Sequence, residues 1–367
     1  MKKLLLCLLA FMLCGCTHDM SRKEIDEIDL ILTLGIDYVE GEYSLSALYS
    51  TGGGADPEKG AGSGMEEVVK GEGKSAYEAL EDLKSKNKKE ISLAQAGAFL
   101  IGDSAARNGI DNCLDFLSRD ETIKMEALIY IIKDKSAVDF IEEGIKNKQS
   151  IHEDMQALEQ KQRELLTRSD NTFVNILNDI EQTYSSVLVP YLIAEESGFI
   201  IEGYAVFDEL KLQDYLDKDT SDGVNFIKNV MRSYSIYLKD QVNLMVSYTE
   251  TDLSTDIEDE NISVNIKVSF ETMIKEVITK ENIFTQDELV RLTEEQNNYI
   301  KAIIEKAVQY SQSTGLDILN LARKIENQNY SQWKNNKENW PNKISDINYQ
   351  VKLQSRISKS FILGNER

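Results

Sequence analysis

The sequence predicts an α+β protein with several domains, in which one or more mixed α/β domains are followed by an antiparallel sheet packed on long helices. Up to about residue 190, short apolar segments of strand length alternate with amphipathic helical segments. After residue 233, long segments alternate apolar and polar residues with a period of two. That alternation is typical of antiparallel strands with one buried and one solvated face. The 367 residues are enough for two or three domains.

We divide the chain into four segments on these patterns. Residues 1–15 are predicted to be a lipoprotein signal peptide, and residues 16–190 an N-terminal α+β domain. Residues 191–232 form a junction segment, and residues 233–367 form a C-terminal domain with a long helix over residues 285–313.

The first sixteen residues decide where the rest of the chain is located. Two lysines precede an apolar run of about ten residues, whereas a membrane-spanning helix needs about 20. Leu13-Cys14-Gly15-Cys16 then has the pattern of a bacterial lipobox, in which cleavage precedes the cysteine once its thiol carries diacylglycerol. An ordinary secretory signal, or an apolar N-terminus folded into the core, are the alternatives. The lipobox predicts that Cys16 begins the mature protein and carries diacylglycerol and an N-acyl chain, which together anchor it stably to a membrane.

The charge of the chain excludes some classes of partner. The formal net charge is −22, and loss of Lys2 and Lys3 with the signal peptide would leave −24. Such an acidic protein has no basic surface to displace counterions from nucleic acid, and it does not lie flat on anionic lipid. We therefore expect a domain that stands off the membrane surface.

The N-terminal domain is predicted to begin with a hairpin of two strands, residues 30–38 and 43–49, joined near Glu40-Gly41. A glycine-rich loop over residues 51–64 and a short strand follow. Gly71-Glu72-Gly73-Lys74-Ser75 then opens a helix. A phosphate-binding loop would need glycine where Val68 stands, so the segment is predicted to be a helix start with Ser75 near the cap.

The remaining elements follow from the same patterns. Strands are predicted at residues 91–101, 125–132, 187–194 and 199–207, and helices at residues 104–117, 136–145, within 154–184 and within 210–228. Asn171 is a candidate cap for the helix around residues 173–180. In the C-terminal domain, the period-two strands cover residues 242–248, 262–270 and 347–353, and a further helix covers residues 317–326.

Three residues could bind or react but have plainer explanations. Cys113 lies among apolar residues at helical spacing, which predicts a buried structural thiol and not a nucleophile. With Cys7 and Cys14 removed and Cys16 acylated, no internal disulfide is possible. Trp333 and Trp340 are seven residues apart, and we expect them to share a helix face before Pro341 and to pack in the core, although a ligand contact is the alternative.

No pattern of catalytic or metal-binding residues stands out. The two histidines are His18 and His152, and neither lies in a cluster of metal ligands. Glu258-Asp259-Glu260 is typical of a solvated turn. The sequence thus predicts no catalytic, metal or cofactor site and no enzymatic activity, with Cys16 as its single functional residue.

The order of these features resembles the Ger(x)C spore germination lipoproteins, the C subunits of germinant receptors. The residues that carry the resemblance are Arg22-Lys23-Glu24-Ile25, Gly35-Ile36-Asp37, residues 73–80, Ile101-Gly102-Asp103, residues 106–110 and 114–120, residues 203–207 with Leu210 and Leu216, Asp317-Ile318, Trp333-Lys334 and Trp340. The chain departs from the family at Gln95-Ala96, where Gly-His is expected, and in its glycine-rich loop.

The resemblance implies a three-domain α+β ectodomain on the outer face of the spore inner membrane. Its expected partners are the polytopic A and B subunits of the receptor, and its expected role is an accessory or signal-relaying one in germination. The alternative is the solute-binding lipoprotein of a transporter, whose two lobes need parallel strands with continuous apolar runs. The alternating strands after Ser233 argue against that alternative.

Overall fold

The computed structural model describes nine stretches of the chain: residues 27–51, 65–147, 150–166, 171–181, 184–195, 198–239, 242–258, 261–278 and 283–358. The predicted signal peptide, Cys16 and nearly all of the glycine-rich loop lie outside the described residues.

The first sheet contains nine strands: β1 (Ile28–Val39), β2 (Glu42–Thr51), β3 (Met65–Gly73), β4 (Glu90–Ser92), β5 (Ala98–Gly102), β6 (Leu128–Ile132), β7 (Val187–Glu195), β8 (Gly198–Asp208) and β9 (Lys211–Tyr215). They are ordered β3-β2-β1-β5-β6-β7-β8-β9, and β4 pairs with β1. The central strands β1, β5, β6 and β7 are parallel, whereas antiparallel strands extend the sheet at both ends. The predicted β1–β2 hairpin is confirmed.

Helices cover both faces of the first sheet: α1 (Ala76–Lys86), α2 (Asp103–Asn108), α3 (Asp111–Ser118), α4 (Ala137–Lys146), α5 (Ile151–Leu165) and α6 (Phe173–Ile180). The buried residues of α1, α2, α3 and α6 pack on one face, and those of α4 and α5 pack on the other. Every residue of β5 and β6 is therefore buried, as expected for parallel strands between two helical layers.

The N-terminus of α1 confirms the helix start that was predicted in place of a phosphate loop. Ser75 caps the helix, since its side chain accepts a hydrogen bond from the Glu78 amide at 3.1 Å. A Cβ at Gly71 would lie 2.2 Å from the Ala79 carbonyl oxygen. The glycines of this segment thus serve close packing of β3 against α1.

Two predicted elements are each split in the structure. The predicted strand over residues 91–101 is the short β4 followed by a turn and β5. The predicted helix over residues 104–117 is α2 and α3, because Gly109 adopts a φ of +127° and ends α2. Side-chain periodicity does not reveal such a break, because both halves bury the same face. The predicted cap Asn171 is also displaced by one residue, since Thr172 caps α6.

The second sheet contains β10 (Tyr234–Tyr237), β11 (Val242–Glu258), β12 (Asn261–Val277) and β13 (Asn348–Ser358), in that order. The prediction of a wholly antiparallel sheet is wrong at one edge, because β12 and β13 are parallel. The helices α8 (Gln286–Thr314), α9 (Leu321–Gln328), α10 (Tyr330–Asn336) and α11 (Trp340–Asp346) return the chain to the end where β12 began. Period-two alternation reports one solvated face and does not determine strand direction.

The long helix α8 confirms the prediction for residues 285–313. Thr285 caps its first turn, and Gly315 ends it in the left-handed region with a φ of +71°. Leu292, Ile300 and Ile304 lie on its buried stripe against the second sheet. Packing of this stripe, more than helix propensity, stabilises the helix.

The segment predicted as a junction, residues 191–232, is divided between the two parts of the molecule. Its strands β8 and β9 belong to the first sheet, and the predicted boundary after residue 190 falls inside β7. Its helix α7 (Lys218–Ile227) packs on α8 so closely that a Cβ at Gly223 would lie 2.4 Å from the Ile303 carbonyl oxygen. Tyr204 and Val206 of β8 join the core of the second sheet.

Candidate functional site

Two of the cysteines bear on the predicted site. Cys16 lies outside the described residues, so its acylation stays a prediction. Cys113 is fully buried in α3, and burial raises the pKa of its thiol to about 12. A thiol with such a pKa is not a nucleophile at neutral pH. The prediction of a structural thiol at Cys113 is confirmed.

Asp37, in the Gly35-Ile36-Asp37 motif, is a buried link between β1 and α4. Its Oδ1 accepts a hydrogen bond from the Ala137 amide at 2.7 Å, and its Oδ2 accepts one from the Val138 amide at 3.0 Å. The positive end of the α4 dipole stabilises the carboxylate, whereas burial raises the pKa of Asp37. A Cβ at Gly102 would lie 1.9 Å from Asp37 Oδ1, so the next strand must carry glycine there.

Asp317 accepts hydrogen bonds at the start of a helix in the C-terminal region, as Asp37 does in the N-terminal region. Its two carboxylate oxygens accept hydrogen bonds from the Leu321 and Ala322 amides, each at 2.8 Å, at the start of α9. The Trp340 indole and the Ser185 hydroxyl also donate to Oδ2, each at 3.3 Å. Burial raises the pKa of Asp317. This carboxylate therefore ties the C-terminal helices to the segment that leads into β7.

The two tryptophans pack in the core beside Asp317. Both are buried, with ring centroids 5.1 Å apart and nearly perpendicular planes, and Tyr184 packs edge-on against Trp333 at 5.1 Å. The prediction of core packing is confirmed, but the tryptophans do not share one helix. Trp333 lies in α10 and Trp340 begins α11, where Pro341 fits the first turn because that position needs no N–H donor.

A polar cluster joins the far end of the first sheet to its centre. The Tyr215 hydroxyl donates to Asp103 Oδ1 at 2.7 Å, and Arg107 forms an ion pair with Asp103 at 2.7 Å. Lys133 lies over the rings of Tyr191 and Tyr215, with Nζ 5.0 and 5.4 Å from their centroids. The sequence did not indicate this cluster, because its pattern predicts short helices within residues 210–228, whereas Lys211–Tyr215 form the strand β9.

A cleft of about 700 Å³ lies where the two parts of the molecule meet. Its walls come from α5, the start of β8, α7, β10 and Tyr299 of α8. Its apolar and aromatic lining includes Leu158, Leu165, Phe199, Ile201, Tyr204, Tyr234, Tyr237 and Tyr299. Its charged lining is Asp154, Lys161, Glu202, Lys218, Asp219 and Asp222. No sequence motif indicated this cleft, because its residues are spread over six helices and strands that only the fold brings together.

The described part of the chain offers little chemistry outside this cleft. It contains no group of three or more His, Cys, Asp or Glu side chains placed to hold a metal ion. His152 lies in the first turn of α5, with Nε2 3.1 Å from the Gln156 amide nitrogen. Among these same residues, none of the helices combines the length and apolar character needed to cross a bilayer. That the protein needs no metal or cofactor stays a prediction.

Comparison with known families assigns the chain. The family model described as "Spore germination protein N-terminal domain" matches residues 21–194, and "Spore germination B3/ GerAC like, C-terminal" matches residues 202–360. The chain belongs to the GerAC-like family of spore germination proteins. The first match ends within β7 and the second begins within β8, so the family division falls inside the first sheet.

Individual GerAC-like proteins agree with this assignment. The chain is 23% identical to the spore germination protein KC of Bacillus subtilis strain 168 over 98% of its own length and 96% of that protein. Its fold is similar to the crystal structure of the GerBC protein, with a TM-score of 0.57 and 16% identity over 88% of this chain and 96% of that one. The resemblance to germinant receptor C subunits is confirmed, and with it a role in spore germination.

Proposed function

We propose that this chain is the lipid-anchored accessory or signal-relaying subunit of a nutrient germinant receptor. It is held on the outer face of the spore inner membrane and acts by contact with the polytopic A and B subunits, without catalysing a reaction. The observation that carries the proposal is the match of both family models along nearly the whole chain, directly after a lipobox. Without the lipobox, the family match would give no reason for a membrane location.

The length between the anchor and the fold supports this arrangement. Ten residues separate Cys16 from Glu27, the first described residue. A chain of that length spans at most about 35 Å. The folded body is therefore held close enough to touch the extramembrane parts of integral partners. Its acidity keeps it from adhering to anionic lipid, so a protein contact and not the bilayer surface would orient it.

The way in which the two sheets are joined supports a relaying role. Asp317 bonds to α9, to Trp340 and to the segment before β7, and β8 contributes to the cores of both sheets. Buried carboxyl groups with several hydrogen bonds resist rearrangement, because breaking one bond leaves a buried polar atom unsatisfied. A displacement of one sheet would therefore be transmitted to the other sheet.

Deletion and rescue in a spore-forming host tests the function. Spores that lack this gene and any paralogue should germinate slowly or not at all with the receptor's nutrient, and the wild-type gene should restore germination. The Cys16→Ala protein should fold but leave the membrane fraction, and it should not restore germination. Cys113→Ala is the matched control, because it removes a buried thiol and should keep the protein on the membrane.

Two outcomes would contradict the proposal in different ways. If the Cys16→Ala protein still sediments with the membrane fraction by itself, the proposed lipid anchor is wrong. If spores without the gene germinate normally with every nutrient tested, the receptor role is wrong, whatever the result for the anchor.

A further inference from the structure

One polar residue on the α5 wall of the cleft carries an oxygen atom that receives no hydrogen bond. Gln162 belongs to the lining of this wall and is only 7% exposed, and its buried Oε1 atom has no hydrogen-bond partner among the described residues. An amide oxygen buried without a donor costs about 1–3 kcal/mol. A bound molecule with an N–H or O–H group at this position would remove that cost.

Asp154 lies on the same face of α5, two turns before Gln162. Its side chain has no hydrogen-bond or ion-pair partner in the part of the chain that the structure describes, and its Oδ2 lies close to the backbone of Gly198. Lys161, the lysine that α5 contributes to the lining, is about 10 Å further along the helix and does not pair with it. Burial, followed by the carboxylates of Glu66 and Glu153, raises the pKa of Asp154. Each of these effects is relieved when a cation approaches.

The opposite wall of the cleft shows how it accommodates an ammonium group. Lys218 Nζ lies 2.6 Å from Asp222 Oδ2 and 5.4 Å from the centroid of the Tyr234 ring. A carboxylate beside an aromatic face is the usual environment for an organic cation. An ammonium group of the chain itself thus pairs with Asp222 of the lining, whereas Asp154 pairs with none among the described residues.

We propose that the cleft binds a small primary amine whose ammonium group pairs with Asp154 and whose second hydrogen-bond donor reaches Gln162. Ala157 and Leu158 lie between these two residues on the same face of α5 and would contact an apolar body. The volume is within the usual range for small-molecule sites. This assignment does not depend on the lipid anchor or on the receptor partners.

Calorimetric titration of the purified chain with four matched probes tests the proposal. The probes are 6-aminohexan-1-ol, hexylamine, hexane-1,6-diol and 6-hydroxyhexanoate, which differ only in the groups at the two ends. The amino alcohol should bind in a saturable way, hexylamine about tenfold more weakly and the diol at least about tenfold more weakly. The carboxylate should not bind.

Two variants assign the ends of the probe to residues. Asp154→Asn should lower the affinity for the amino alcohol about tenfold and leave the affinity for the diol unchanged. Gln162→Leu should make the amino alcohol and hexylamine bind with equal affinity. Asp252→Asn is the matched control, since it removes one exposed carboxylate outside the cleft and should change nothing. Circular dichroism confirms that each variant is folded.

The wild-type titrations alone can overturn the proposal, whatever the folding of the variants. The absence of saturable binding of 6-aminohexan-1-ol overturns it. Equal binding of the amine and the diol would show an apolar groove without an ammonium site, and preferential binding of the carboxylate would reverse the charge assignment.

Discussion

The two sheets of this protein bury their residues in different ways. In the first sheet, helices cover both faces, so neighbouring residues of β5 are both buried. In the second sheet, α7 to α11 cover one face, and the residues of β11 and β13 alternate between more buried and more exposed positions. The outer face of the second sheet is mostly polar, and includes Asp252, Lys267 and Arg356. The difference indicates that the first sheet is a closed structural core, whereas the second sheet presents a face to solvent.

The largest effect is expected at consecutive residues of β5. Phe99 packs on α6, with its ring 6.4 Å from that of Phe173, and Leu100 packs on the opposite face. Phe99→Ala should lower the free energy of unfolding by about 3–5 kcal/mol and Leu100→Ala by about 2–5 kcal/mol. Urea denaturation measures both. If either change costs less than about 1 kcal/mol, one face of the first sheet is not closed.

A pair of residues in β12 sharpens the comparison. Ile266 is fully buried, and its neighbour Lys267 points to solvent. Ile266→Ala should cost about 2–5 kcal/mol, whereas Lys267→Ala should stay within about 0.5 kcal/mol of wild type. The same denaturation experiment applies. Comparable losses at both positions would show that the outer face of the second sheet is covered.

The contact between the two parts of the molecule should have a smaller but clear effect. Asp317→Asn keeps the shape of the side chain but replaces one acceptor oxygen with a donor that faces backbone N–H groups. We expect a loss of about 1–3 kcal/mol, the cost of leaving a buried donor or acceptor without a suitable partner. Asp346→Asn on α11 is an exposed control and should be neutral. An unchanged urea midpoint for Asp317→Asn would show that this carboxylate does not hold the helices in place.

The smallest effect is a dependence on pH. Because burial raises the pKa of Asp317 in the folded protein, the folded state binds its proton more tightly than the unfolded state does. The contribution of Asp317 to stability is therefore greatest at low pH and falls as the pH rises from about 4 through the folded-state pKa. The stability difference between wild type and Asp317→Asn should shrink from pH 4 to pH 7. A difference that grows over this range would mean that the pKa is lowered by the hydrogen bonds.

Local signals in the sequence predicted much of the fold. The β1–β2 hairpin, the Ser75 cap and the length of α8 each depend on residues close together in the chain. The split at Gly109 and the parallel pairing of β13 did not follow from periodicity, because period and burial carry no information on chain direction. The sequence indicated Asp37 and Asp317 only as residues of a family pattern. Their structural roles were not predicted, because Asp37 bonds to a helix that lies far away in the sequence and Asp317 also makes a tertiary contact.

The proposed functional residues divide in the same way. The predicted lipobox at Cys16 is a local pattern that the first sixteen residues reveal. The cleft was not, since Asp154, Tyr234 and Tyr299 have no sequence relationship and meet only through the packing of α5 against α7 and β10. A lone Asp or Gln on an amphipathic helix gives no sign that its neighbours will leave it without a partner.

The central claim is that the chain acts as a membrane-anchored subunit by contact with integral membrane proteins. Native purification of the tagged chain from spore membranes in mild detergent, followed by mass spectrometry, tests it most directly. The account predicts that two different multi-span proteins co-purify with the wild-type chain in fixed ratio. Recovery of the chain without any multi-span protein, or together with a permease and an ATPase, would contradict it.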